Sequence, residues 1–171
     1  MPGGVVLLFV ILGGFFLVVP VFAVLAIYGV RKYIASAKTA EARNSIAQIA
    51  KDAAAAYEGA PGRKARALCA SASRSVPESA TYIRGAKYQS SERDWSVDMP
   101  RNAGFACLRF SMDMPQYYMY SYRAAPGDFV ATANGDLNGD GVLSTFSLKG
   151  HVQPDGAIQV DPQLQETDPQ E

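Results

Sequence analysis

Residues 5–30 read VVLLFVILGGFFLVVPVFAVLAIYGV, and apart from the phenol of Tyr28 this run holds no ionisable side chain. A helix rises about 1.5 Å per residue, so the run can cross the roughly 30 Å hydrocarbon core of a bilayer with some tilt. It can be a retained anchor or a cleaved secretory signal. Signals start with Lys or Arg and have a shorter apolar core, whereas residues 1–4 carry no charge, so a retained anchor is favoured.

The helical pattern continues beyond the apolar run. Residues 31–57 contain no Gly or Pro, and residues 53–56 are all alanine, which favours helix. Apolar side chains recur there at helical spacing and predict one stripe that packs on the rest of the protein: Ile46, Ile49, Ala50, Ala53 and Tyr57. The Gly and Pro residues of EGAPG (58–62) predict the end of the helix.

The second half of the chain shows the alternation of a β-sheet. Strands are predicted over 105–110 (FACLRF), 117–123 (YYMYSYR), 129–134 (FVATAN) and 142–148 (VLSTFSL), with a short last one at 158–160 (IQV). Turns rich in Gly, Pro and Asp separate most of them, so an antiparallel meander is expected. A helix stripe that covers an antiparallel sheet of about four strands is an α+β fold.

The sequence therefore predicts four regions. They are a transmembrane segment (1–30), a helix extension that packs on the head (31–58), a globular α+β head (59–160) and an acidic, flexible tail (161–171). Trp95, in the connector between helix and strands, can anchor a partner or fill the core, and the core is favoured.

Charge is distributed unevenly, although the formal net charge is zero. Residues 31–101 carry 13 Lys or Arg against 7 Asp or Glu, whereas residues 102–171 carry 3 against 9. Such asymmetry can align subunits head to tail or present a basic surface to an anionic partner. Solvated side chains without a partner are the commoner situation.

Two cysteines, Cys69 and Cys107, occur without a CxxC motif. They can stay as buried thiols, but a disulfide is favoured if the head lies in an oxidising compartment outside the cytoplasm. The basic residues that follow the apolar run, between 31 and 43, indicate the opposite orientation, because positive charge is usually retained on the cytoplasmic side.

Residues 136–141 (DLNGDG), the acidic loop, match the opening of a calcium-binding loop. Oxygen atoms of Asp136, Asn138 and Asp140 could converge on a hard cation. However, the twelfth position is Ser147 instead of a bidentate glutamate, and the ninth is Ser144, a weak ligand. A hairpin turn without metal is therefore favoured, with calcium as the alternative.

Motifs for catalysis do not occur: the sequence has no P-loop, GxGxxG or nucleophile elbow, and one histidine, His151. We therefore expect a non-catalytic protein with no small-molecule substrate and no cofactor other than calcium. The tyrosines at 117, 118, 120 and 122 could stack on sugars or bases, but packing in the sheet is favoured.

Residues 24–58 (VLAIYGVRKYIASAKTAEARNSIAQIAKDAAAAYE) resemble the N-terminal helix of bacterial type IV pilin-like proteins, of the fimbrial and pseudopilin type. In that family an apolar stretch gives way to a continuation with small residues, Lys, Ser and Glu. Residues 129–150 (FVATANGDLNGDGVLSTFSLKG) are similar to the last hairpin of many pilin and pseudopilin heads, which sometimes bind calcium nearby. The resemblance implies a pilin-like fold, with the head in the periplasm or outside the cell and other pilin-like subunits as partners.

Family members also carry a basic leader, a glycine before the cleavage site and a glutamate near the start of the mature helix. Gly14 and Phe15 are the nearest counterpart of the cleavage site, but no Lys or Arg precedes them. Val19 stands about where the glutamate is expected. The resemblance thus supports the fold more strongly than it supports processing or standard filament assembly.

These features predict a single-pass inner-membrane protein that is a pilin-like structural subunit or a filament-associated component. Assembly, adhesion, motility or secretion would be its role, in the membrane or in a surface filament. The alternative is a non-polymerising anchored module that binds DNA or a surface polymer through the basic region 31–101 or the aromatic strand.

Overall fold

The computed structural model of the protein describes residues 3–59 and 66–169 and, within them, all side chains except those of residues 3–18 and 31. The chain divides into two compact units, Met1–Ala37 and Lys38–Glu171. Helix α1, Gly3–Glu58, contributes residues to both units. Its bounds agree with the helix predicted from the apolar run and the stripe.

The first unit is the N-terminal part of α1. Its large apolar side chains between residues 19 and 34 are exposed, and Pro20 lies inside the helix. Among the described residues, α1 is the one helix that is long and apolar enough to cross a membrane. A signal sequence near the N-terminus meets the same criteria of length and composition, so both interpretations of the apolar run remain open.

The second unit contains an antiparallel sheet. Its strands are β1 (Tyr118–Ala125), β2 (Asp128–Gly135), β3 (Ser144–Val152), β4 (Ile158–Val160) and β5 (Gln165–Thr167). The first four lie in the order β1-β2-β3-β4, and β5 pairs with the other end of β3. The expected antiparallel meander is confirmed. Strand β5 corrects the expectation of a flexible tail for the residues that it contains.

The later part of α1 packs on this sheet through its apolar stripe. The stripe of α1 is buried, with exposed fractions of 0–8%: Ile46, Ile49, Ala50, Ala53 and Tyr57. On the sheet, the ring of Tyr118 lies on Gly135 and the ring of Phe129 lies on Gly150. A Cβ atom at either glycine would overlap the ring, so these glycines make room for aromatic side chains in the core.

Residues 105–110 are predicted to be a strand, but 105–108 belong to a short helix instead, α3 (Gly104–Leu108), and Arg109 caps its end. The prediction was wrong because a run of six residues fits a strand and a helical turn equally well. In the helix, Phe105 and Leu108 are both buried, and Arg109 is exposed. A strand would have placed Arg109 on the same face as Phe105, so the helical period separates charge from core better.

Helix α2 (Glu92–Ser96) packs beside α3 and contributes the single tryptophan to the core. Trp95 is 2% exposed and meets the rings of Phe105 and Phe110 edge-on, with centroids 5.0 and 5.3 Å away. Its indole N–H donates to the hydroxyl of Ser90 at 3.0 Å. Trp95 is thus a core residue, and little of its surface is accessible to a partner.

The edge of β1 that does not pair with β2 is covered by the connector that precedes α2. The N–H groups of Ala72 and Val76 donate to the carbonyls of Tyr122 and Tyr120 at 3.0 and 2.9 Å. Tyr120 returns a bond from its N–H to the carbonyl of Val76 at 2.8 Å. These bonds satisfy backbone groups that an open sheet edge would expose to other chains.

Candidate functional site

Glu41 links α1 to the start of β1. Its Oε1 atom accepts a hydrogen bond from the N–H of Tyr117 at 2.8 Å and another from the hydroxyl of Tyr120 at 3.0 Å. Burial raises the pKa of the Glu41 carboxyl, and the hydrogen bonds offset that shift only in part. Glu41 has no local sequence signature, because its partners lie 76 and 79 residues further along the chain.

Two ammonium groups lie against the ring of Tyr117. The Nζ atoms of Lys38 and Lys87 are each 4.7 Å from the ring centroid. Such cation–π contacts contribute about 0.5–1 kcal/mol each at exposed sites. Tyr117 therefore joins α1, the connector and the start of the sheet, and it is not a free stacking surface for a base or sugar.

A second link joins α1 to the C-terminal strand. The guanidinium of Arg43 donates two hydrogen bonds to the carboxylate of Glu166, at 2.7 and 2.9 Å. The bidentate contact lowers the pKa of the Glu166 carboxyl and raises the pKa of Arg43. Because Glu166 belongs to β5, this pair fixes the last strand against the helix.

Cys69 and Cys107 form a disulfide with an S–S distance of 2.00 Å and Cα atoms 5.9 Å apart. The bond connects the connector that precedes α2, where Cys69 lies, to α3, which contains Cys107. The two cysteines are 38 residues apart in the sequence. In the chain-entropy description, closing a loop of this length stabilises a fold by roughly 3–4 kcal/mol. The disulfide that the sequence favours is therefore present in the fold.

The acidic loop between β2 and β3 is held by hydrogen bonds within itself. Asp136 is 2% exposed, and its carboxylate oxygens accept from the N–H groups of Gly139 and Gly141 at 2.7 and 3.0 Å. The side chains of Asn138 and Asp140 bond to each other at 3.1 Å. The carboxylate of Asp136 thus closes the turn from inside.

The guanidinium of Arg84 lies against the acidic loop. Its Nε donates to the carbonyl of Gly139 at 2.9 Å and lies 3.8 Å from Oδ2 of Asp136. Ser144, the expected ninth position, is buried, and its hydroxyl donates to the carbonyl of Gly135 in β2; Ser147, the expected twelfth position, is the fourth residue of β3. Within residues 3–59 and 66–169, no group of three or more His, Cys, Asp or Glu could hold a metal. The protein thus places a guanidinium of its own beside Asp136.

Two other predicted positions have different outcomes. Gly14 and Phe15, the possible processing site, lie outside the residues whose side chains are described. His151 is at the end of β3, with Nδ1 3.6 Å from Oδ1 of Asp161. That contact matches the expectation of a polar residue near a strand end.

No protein-family model matches this chain, and no curated protein or solved structure matches it. The class of protein therefore follows from the architecture alone. It is a disulfide-bonded α+β protein in which the later part of the N-terminal helix packs on an antiparallel sheet.

Proposed function

We propose that this protein is a membrane-anchored, pilin-like structural component, either a filament subunit or a protein associated with a filament. The apolar part of α1 anchors it in the inner membrane, and the head lies in the periplasm or outside the cell. It acts in assembly, adhesion, motility or secretion and has no catalytic role.

One observation carries this proposal: α1 changes its environment along its own length. Its large apolar side chains between residues 19 and 34 are exposed, whereas from Ala42 onward its stripe is buried in the head. Exposed apolar side chains in such a run need a lipid environment or neighbouring helices. Pilin-like proteins, which this chain resembles, use the first part of one helix in the membrane and pack the later part of the same helix in the head.

The disulfide supports a location outside the cytoplasm, since such bonds persist in oxidising compartments. The basic residues after the apolar run favour the opposite orientation. The two orientations of the head are distinguished by fusing a phosphatase to the C-terminus, one that is active only outside the cytoplasm. We expect phosphatase activity in intact cells, and its absence from a stably expressed fusion would reject the proposed location.

Filament association is tested by shearing cells and determining the mature N-terminus of the recovered protein by mass spectrometry. We expect the chain in the sheared fraction. Cleavage after Gly14 with an N-methylated Phe15 would identify a processed pilin. Recovery of the chain in the membrane fraction alone, with Met1 intact, would contradict a role in filaments.

The alternative, an anchored DNA-binding module, has weaker support because part of the basic region is already paired. Arg74 contacts Asp94 and Glu78, and Arg101 contacts Asp98. Arg84 lies against the acidic loop in the same way. These contacts neutralise positive charge that would otherwise be available to bind a phosphate backbone. Tight DNA binding that falls steeply with salt would nevertheless favour the module over the structural role.

A further inference from the structure

A cavity of about 430 Å³ opens on the face of the sheet opposite α1, at the end where β1 turns into β2. Inward residues of these strands, such as Tyr122, Ala131 and Leu148, are buried against the helix. Because side chains alternate along a strand, their neighbours Arg123 and Lys149 face the other way. The cavity therefore lies on the side of the sheet that the helix stripe does not cover.

The strand register arranges the outward-facing residues of the lining in two rows, with Ala124, Phe129 and Gly150 in the row between them. Arg123, Val130 and Lys149 stand opposite one another on β1, β2 and β3. In the next row, Asp128 stands opposite His151. Neighbouring strands are about 4.8 Å apart, and residues of one strand face the same side about every 7 Å. Two cations thus flank an apolar centre, with a carboxylate and an imidazole beside it.

The two cations of this lining are available for a ligand. Both Arg123 and Lys149 are exposed, and no carboxylate of the described chain lies within 4.0 Å of either of them in an ion pair. Such uncompensated cations beside an apolar surface favour a ligand that carries negative charge and also an apolar face.

We propose that this cavity binds one acidic sugar residue, a pyranose with a carboxylate group, within an oligosaccharide or polysaccharide. The guanidinium of Arg123 and the ammonium of Lys149 bind the carboxylate, with Arg able to donate two parallel hydrogen bonds. The side chain of Val130 contacts the C–H face of the ring. Asp128 accepts hydrogen bonds from sugar hydroxyls, a role that a carboxylate fills without a proton of its own.

The same lining disfavours nucleic acid. A protein that binds a phosphate backbone neutralises several phosphates with Lys and Arg. Here Asp128 lines the cavity, and Asp161 lies beside His151, another lining residue, with Oδ1 3.6 Å from the Nδ1 of that histidine. These carboxylates repel a phosphate and a uronate carboxylate alike, but a sugar ring also offers several hydroxyl donors to Asp128, and a phosphodiester group offers none.

Isothermal titration of the full-length protein in detergent micelles with hexagalacturonate tests the proposal, with maltohexaose as the neutral comparison. We expect saturable binding of hexagalacturonate alone. The double variant Arg123→Gln/Lys149→Gln should lose at least about tenfold in affinity. The control Lys51→Gln/Arg93→Gln removes the same charge from exposed positions elsewhere and should stay within about twofold. Equal losses in both double variants, or no saturable binding to the wild type, would overturn the proposal.

Asp128→Asn separates a sugar site from simple attraction between opposite charges. If Asp128 accepts hydroxyl hydrogen bonds, this variant binds hexagalacturonate about three- to tenfold more weakly. If the cavity only attracts anions, removing the carboxylate strengthens binding, which would overturn the proposal. A single-stranded oligonucleotide that displaces the saccharide, and binds more tightly to Asp128→Asn, would identify a nucleic-acid site instead.

Discussion

Replacing Ile46 with alanine is the most direct test of the contact between α1 and the sheet. Ile46 has no exposed surface, and it shares the core cluster with Tyr120 and Phe146 of the sheet. Truncating a buried isoleucine to alanine costs about 2–5 kcal/mol, through lost transfer free energy and the cavity left behind. Ile34, on the same helix, is 47% exposed in the first unit, so Ile34→Ala is a matched control that should change head stability by less than about 0.5 kcal/mol.

The fluorescence of Trp95 provides the assay, because it is the only tryptophan and it is buried in the head. Urea titrations of the full-length protein in detergent micelles give the free energy of unfolding of the head. With a urea dependence of about 2 kcal/mol per molar, the midpoint for Ile46→Ala should fall by about 1–2.5 M. Equal midpoints for Ile46→Ala and Ile34→Ala, or a loss below about 1 kcal/mol for the former, would refute the packing described above.

The same titration checks three other expectations. Because burial raises the pKa of Glu41 above its ordinary value, its stabilising contribution is complete at pH below that value and is lost as pH rises through the raised pKa. Glu41→Gln should therefore gain stability relative to the wild type as pH rises from the ordinary carboxyl range towards neutrality, and a difference that stays constant with pH would contradict this. Reducing the Cys69–Cys107 disulfide should lower the free energy of unfolding by about 2–4 kcal/mol, and an unchanged midpoint would show that the bond constrains little. Calcium should leave the wild-type midpoint unchanged because Arg84 lies beside Asp136, and a rise in midpoint with calcium, absent from Asp136→Asn, would establish a metal site.

Long periodic segments were predictable from the sequence because many residues repeat the same signal. Helix α1 shows a helical period of apolar residues from Ile46 to Tyr57, and β1, β2 and β3 are 8 or 9 residues long with buried and less buried positions alternating over most of their length. The short helix α3 could not be distinguished from a strand, since two periods fit so short a run. The segment forms a helix because of its contacts with α2 in the core, and the sequence of the segment itself does not indicate those contacts.

Apart from the disulfide and the packing of the helix stripe on the sheet, contacts between distant side chains could not be predicted. Strand β5 is polar and exposed, and it is positioned by its pairing with β3 and by the bond between Arg43 and Glu166, which are 123 residues apart. The acidic loop is a different case. Its motif is local in the sequence, but Arg84, whose guanidinium lies beside Asp136, comes from the connector. A motif therefore identified the loop without revealing which cation lies beside it.

The sheet edge and the helix together limit how copies of this chain can associate. Ala72 and Val76 already bond to the free edge of β1, so another chain could add a strand there only by breaking those hydrogen bonds. The longest run of exposed large apolar side chains among the described residues lies on α1, between residues 19 and 34. Lipid and the helices of other copies can both cover such a surface, and neither needs the sheet. Association through these side chains would therefore require no strand to be added at the edge of β1.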